Sequence, residues 1–167
     1  MARTIYHSDI IAIDPGSTES GVVITTPLLY PIFHAKIPND QVFSIITNQI
    51  IKSDSVCVIE MIASYGMPVG REVFDTCIWI GRFVQHCKSF GIEPEFILRQ
   101  QEKLTICHSP KANDATIKQA LIDRFAPGVS NYGKGTKKDP GWFYGFRTDE
   151  WSAYAVAVTY HDLNSEE

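Results

Sequence analysis

The chain has 167 residues, 44 % apolar and 20 % charged, the mixture of an ordinary globular domain and not of a disordered or fibrous chain. That length is short for two typical domains, so residues 1–167 are expected to form one. The formal charge of −4, taken as a total, argues against a surface coated in positive charge for nucleic acid.

In chain order, residues 9–14 (DIIAID) are a short apolar run closed by Pro15-Gly16 and predict a buried strand ending in a turn. Residues 21–26 (GVVITT) are β-branched and predict its antiparallel partner, with a third strand over 28–37. Asn39 or Asp40 can cap a helix to about Lys52, with Val42, Ile45, Ile46, Gln49 and Ile50 at helical spacing. Residues 55–61 (SVCVIEM) predict a second buried strand carrying one carboxylate, Glu60. A long helix is expected over 69–88, its stripe formed by Val73, Cys77, Ile80, Val84 and Cys87. Residues 94–100 predict a further strand. Ser109-Pro110, or Asn113, opens a helix to about Phe125, stopped by Pro127-Gly128. Residues 129–145 are rich in Gly and Lys without a period and read as a long loop, before a last helix from Thr148 or Asp149 to about Leu163. Strands in a meander followed by alternating helices and strands imply an α/β sheet with helices on its faces.

Four cysteines (Cys57, Cys77, Cys87, Cys107) form no Cys-x-x-Cys pair and no zinc spacing, and two lie in apolar periodic stretches. They are read as reduced thiols of a cytoplasmic protein. The polar amino terminus is no secretory signal, and no apolar run approaches the ~18 residues of a membrane span. The five histidines, His7, His34, His86, His108 and His161, show no ligand-like grouping and are expected as surface or capping residues.

Three acids attract attention. Asp14 ends the first strand, Glu60 lies near the end of a core strand, and Asp149 starts the last helix. A carboxylate on a buried strand costs free energy unless it is paired, hydrogen-bonded or bound to a cation. Each alone has an ordinary explanation: a turn for Asp14, a basic partner for Glu60, a helix cap for Asp149. Together, if the two strands are neighbours, they converge at one sheet edge, where hard oxygen donors suit Mg²⁺ or Mn²⁺.

Two phosphate-loop readings fail. Asp14-Pro-Gly-Ser-Thr18 also resembles the first phosphate loop of actin- and hexokinase-like ATPases, which need two domains around a cleft. Gly128-x-x-x-x-Gly133-Lys134 imitates a P-loop, but Gly135 stands where Ser or Thr must reach a metal, and no strand precedes it.

Charge is distributed unevenly. From 99 to 147, nine basic residues face four acids, a local +5, leaving −9 elsewhere. Lys111 and Lys118, seven apart, are expected on one helix face. Lys134, Lys137, Lys138 and Arg147 accompany Trp142, Phe143, Tyr144 and Phe146, a mixture suited to phosphate contacts with stacking on bases. The aromatics serve equally well as anchors of the loop on the core.

The segment Ile11-Ala-Ile-Asp14-Pro-Gly-Ser-Thr-Glu-Ser-Gly21, then Val58-Ile-Glu60, and Asp149 before Ala153-Tyr-Ala-Val-Ala-Val158, resembles the RuvC-type Holliday junction resolvases. Glu60-Met-Ile-Ala-Ser-Tyr-Gly-Met-Pro-Val-Gly70 and Cys77-Ile-Trp-Ile-Gly-Arg-Phe83 look like the phage and prophage members. The resemblance implies an RNase H-like fold: a five-stranded mixed sheet, first three strands antiparallel, flanked by helices. It also implies a metal-dependent endonuclease acting on branched DNA (four-way junctions) as a homodimer, with two Mg²⁺ or Mn²⁺ ions per site about 4 Å apart. Asp14, Glu60 and Asp149 would be both catalytic and metal-binding. The family's further acid or histidine, three residues after Asp149, falls on Ser152 here. Glu150 is the other candidate, about 100° round the helix. The family's basic residues would fall on Lys111 and Lys118, and the dimer interface on the helix carrying Arg71 and Trp79. The other readings are a different RNase H-like nuclease, acting on RNA or replication intermediates, and a DNA-binding module without activity.

Overall fold

The computed structural model describes residues 8–165; the polar amino terminus and His7 lie outside the described residues. The elements are β1 (Asp9–Asp14), β2 (Glu19–Thr25), β3 (Pro31–Pro38), α1 (Asn39–Lys52), β4 (Ser55–Met61), α2 (Arg71–Ser89), β5 (Glu95–Leu98), α3 (Arg99–Cys107), α4 (Asp114–Phe125) and α5 (Thr148–Ser165). They build one sheet in the order β3-β2-β1-β4-β5. The β1–β2 and β2–β3 pairs are antiparallel, and the β1–β4 and β4–β5 pairs are parallel.

Alternation along the strands divides the core in two. Ile11, Ile13, Val22, Ile24, Cys57 and Ile59 face α1 and α2, where Val42, Ile46, Ile80, Phe83 and Cys87 are buried. Ile10, Ala12, Val23, Val58 and Ile97 face the other way, against α4 and α5. From Trp151 to Tyr160 every α5 residue except Ser152 is buried, so this helix is apolar almost all round, as a helix covered on several sides must be.

Several boundaries differ from the sequence expectation, each for a local reason. Leu29 takes a left-handed backbone (φ 66°) inside the turn after β2, so β3 begins at Pro31 and not at 28. On α2 the inward stripe is Thr76, Ile80, Phe83 and Cys87, while Cys77 is exposed. Residues 99 and 100 are not strand: β5 ends at Leu98 and α3 follows without a break, the Gln101 side chain accepting from the Leu98 N–H at 2.8 Å. His108 closes α3 at φ 54°, a position where glycine is usual. Asn113, and not Ser109, caps α4: its Oδ1 accepts from the Thr116 N–H at 3.0 Å. Lys111 therefore precedes the helix and shares no helical face with Lys118.

The segment between α4 and α5 is tightly wound. Gly135 (φ +66°) turns the chain back on itself, and residues 135 and 140 form an isolated bridge. Phe143 and Phe146 are buried in the core, and Trp142 stacks on Phe125 with centroids 5.3 Å apart. The indole N–H of Trp142 donates to the Tyr154 hydroxyl, which donates to the carbonyl of Leu29 at 2.9 Å. The loop aromatics thus anchor the loop, and of the four Tyr144 alone stays exposed.

One close approach sets the position of α5. A Cβ built on Gly21 would lie 2.5 Å from the carbonyl oxygen of Asp149, so the first turn of α5 rests on bare β2 backbone. Gly21→Ala should therefore push α5 off the sheet and destabilise the fold by about 1–3 kcal/mol, read as a lower urea midpoint at unchanged slope.

Candidate active site

The register places the acids. Ile13 pairs with Ile59 across the parallel β1–β4 ladder, so Asp14 and Glu60 follow at neighbouring strand ends. By alternation both share the face of Ala12 and Val58, beneath α5. Across the antiparallel side, Asp14 pairs with Gly21 and Gly21 with Lys36, one row running over three strands.

The turn after Asp14 is held from α1. Asn39 is buried; its amide donates to the Gly16 carbonyl at 2.8 Å, and its Oδ1 accepts from Ser20 at 2.6 Å. The Asn39 N–H donates to the carbonyl of Thr18 at 3.0 Å. A side chain at Gly16 would strike the carbonyl of Glu19. The Asp-Pro-Gly-Ser-Thr motif is thus a pinned hairpin that fixes the backbone of Asp14.

The carboxyls crowd one another. Burial first, then the Glu60 charge, a hydrogen bond to Glu60 and the Asp149 charge push Asp14 up to about 8, against an opposing pull from Arg99. Burial and the charge of Glu102 push Glu60 up to about 7, with Arg99 and the hydrogen bond from Asp14 working the other way. Glu102, on α3, is fully buried and raised to about 7, chiefly by burial. The sequence motifs mark neither Glu102 nor Arg99, whose guanidinium bonds Glu102 at 2.6 Å and pairs with Asp114. An Arg-x-x-Glu pair at helical i,i+3 spacing was the signal available.

Of the α5 acids, Asp149 reaches the cluster and lies 3.1 Å from Lys36 Nζ. Glu150 does not: one oxygen lies 2.9 Å from His34 Nδ1 and the other accepts from the Arg147 N–H at 2.8 Å. It locks α5 to β3 and to its own first turn. Ser152, one turn on from Asp149, lines a separate cavity.

That cavity is the basic one, about 510 Å³ in volume. Arg99, Lys118, Lys134 and Arg147 line it, with Asp114 as its acid. Lys118 Nζ lies 5.1 Å from the Trp151 ring centroid, and equally far from that of Tyr132. Lys111, Lys137 and Lys138 are exposed and lie outside its lining. A smaller hollow of about 220 Å³ contains Asp14, the hairpin turn, Lys36 and Asp149. The first turn of α5 borders both.

The acidic donors are carboxylate oxygens, on half-buried Asp14 and Glu60, fully buried Glu102 and partly exposed Asp149, a chemistry that fits a hard divalent cation. Among the described residues, no three His, Cys, Asp or Glu side chains already close round one point, and Arg99 and Lys36 supply the positive charge present.

No family model matches the chain, and no curated protein matches it in sequence. Among solved structures it is similar to RuvC of Thermus thermophilus in complex with a Holliday junction substrate, with a TM-score of 0.70 over 94 % of each chain at 11 % identity. A second Thermus thermophilus RuvC structure gives 0.67 at 12 % identity, over 95 % of this chain and 96 % of that one. The chain therefore has the RNase H-like fold of RuvC, as the motifs implied.

The raised carboxyls make a signed prediction. Their folded-state values, about 8, 7 and 7, exceed the ordinary carboxyl range, so the native state holds protons that the unfolded chain releases above about pH 4. Stability of the metal-free protein should fall between pH 5 and 8, by on the order of 1–3 kcal/mol. Asp14→Asn should flatten that slope, as followed by thermal melts across the pH range.

Proposed function

We propose that the chain is a structure-selective DNA endonuclease of the RuvC type, from the phage-like branch. It would resolve four-way junctions or related branched DNA by divalent-metal-dependent phosphodiester hydrolysis in the cytoplasm. The observation that carries this reading is the buried Asp14–Glu60 pair, flanked by Asp149, beside a cavity lined by four cationic side chains. A junction substrate in one of the similar Thermus structures supports the choice of branched DNA.

Asp14, Glu60 and Asp149 are the residues that would hold Mg²⁺ or Mn²⁺. Bound there, such ions lower the pKa of an attacking water and offset charge at the phosphate. The chain's own contributions are positional. The Asn39-pinned turn fixes Asp14, Lys36 steadies Asp149, and Arg99 keeps the buried carboxyls from repelling one another fully. Arg99, Lys118, Lys134 and Arg147 take backbone phosphates without reading sequence, so selectivity follows the shape and deformability of the DNA. Lys111, Lys137 and Lys138 extend that contact outward.

A two-fold dimer would set two such sites on opposed strands. Phe74 (60 % exposed) and Ile78 (62 %) lie one turn apart on α2 and form an apolar face. Arg71 borders that face, whereas Trp79 turns inward against Phe43 and Phe83 and lies 4.0 Å under the Arg82 guanidinium.

The deciding experiment offers a synthetic four-way junction, a linear duplex and an RNA–DNA hybrid with Mg²⁺ or Mn²⁺. Paired symmetric nicks in the junction alone are expected. Cutting of the hybrid would indicate an RNase H-like nuclease of another kind, and binding without cutting a DNA-binding module. Asp14→Asn should lower cleavage roughly 100-fold or more while junction binding persists. Lys118→Gln should weaken binding to all sequences alike and reduce the salt slope by about 1. A Phe74→Glu, Ile78→Glu double variant should sediment as a monomer.

A further inference from the structure

Glu102 plays no part in the reaction as described above. It is fully buried, Oε2 accepts from Arg99 at 2.6 Å, and Oε1 has no hydrogen-bond partner. A carboxylate oxygen buried in this way has lost its hydration with nothing in return, a condition that persists in native proteins where the group has another use. Its helix begins directly after β5, and β5 pairs with β4 so that Ile97 sits beside Glu60. From that position Glu102 acts electrostatically on Glu60, and Asp14 on Glu102.

The helix on the other side of the acids contributes less. Glu150 has both oxygens engaged, Ser152 is neutral, and Asp149 is 40 % exposed and tied to Lys36. The inner carboxyls of the cluster are half-buried Asp14 and Glu60 and fully buried Glu102, and of these Glu102 has the orphaned oxygen.

We propose that Glu102 is a carboxylate of this same site, its free oxygen directed with Asp14 and Glu60 toward a divalent cation. The inference rests on the metal-dependent reading of the site. The competing role is purely positional, with Glu102 serving as an anchor for Arg99.

The test is calorimetric titration of Mn²⁺ into the full chain without DNA, with melting temperatures taken in parallel. Asp14→Asn should abolish binding. Glu102→Gln should weaken it at least tenfold while the metal-free protein melts no lower than the unsubstituted chain. Adding Ser152→Asp to Glu102→Gln should restore most of the affinity, because position 152 shares the helix face of Asp149. Mn²⁺ affinity within twofold of the unsubstituted chain in Glu102→Gln, with Asp14→Asn inactive in binding, overturns this inference and leaves the metal reading standing. A loss that Ser152→Asp does not repair also overturns it and assigns Glu102 to Arg99. No Mn²⁺ binding by the unsubstituted chain sinks both readings together. Should Glu102→Gln fail to fold, Glu102→Asp keeps the charge but withdraws the oxygens by one methylene; weaker Mn²⁺ binding supports the inference and unchanged binding refutes it.

Discussion

Like charges held out of water at the ends of two adjacent parallel strands need a counter-charge, and much of the architecture around β1 and β4 supplies it. Burial and repulsion from a neighbouring carboxylate push both Asp14 and Glu60 above the ordinary carboxyl range, which disfavours two full charges side by side. Arg99 is a cation that acts on both, and it is held by Glu102 on its own helix and by Asp114 at the start of α4. Lys36 performs the corresponding service for Asp149 from β3. The helices behind the sheet edge are therefore tied to the acids electrostatically as well as by apolar packing. Ion pairs of this kind are weak sources of stability where exposed, but buried groups left unpaired are strongly destabilising.

The second organising feature is the path of α5. It presses its apolar length against the sheet and brings its first turn onto Gly21, between the acidic hollow and the basic cavity. A phosphodiester chain crossing that turn would meet cations on one side and carboxylates on the other. The net charge of the whole protein conceals this arrangement, because the −4 total averages a basic segment with an acidic remainder.

Much of this is legible in the sequence. The β1 and β4 strands and α1 fall where short apolar runs, turn residues and helical spacing predict them, because there local preference and tertiary packing agree. The expected cap does not form, since Pro38 stands at the cap position of α1 and the Asn39 side chain holds the turn after Asp14 instead. The convergence of Asp14, Glu60 and Asp149 followed from treating acids on core strands as anomalies. The α3 helix was hidden because it follows β5 with no glycine or proline between them, and its buried residue is a glutamate that apolar periodicity does not count. Ser109-Pro110 has the pattern of a helix start that would carry Lys111 and Lys118 together, whereas the reciprocal bonds of Asn113 and Thr116 fix the true start. The pairing of Glu150 with His34 spans 116 positions and left no local trace.

Asn39 has a dynamic consequence. It stands at the first position of α1, and through it the turn after Asp14 is fastened to a helix packed on the opposite face of the sheet. Turns at hairpin ends ordinarily open on their own, with local free energies near zero. This one cannot open by itself: its carbonyls at Gly16 and Thr18 are released only when the amino end of α1 lifts away. The loop bearing the central carboxylate therefore shares the opening equilibrium of a core helix, and its rigidity is borrowed from the far side of the sheet.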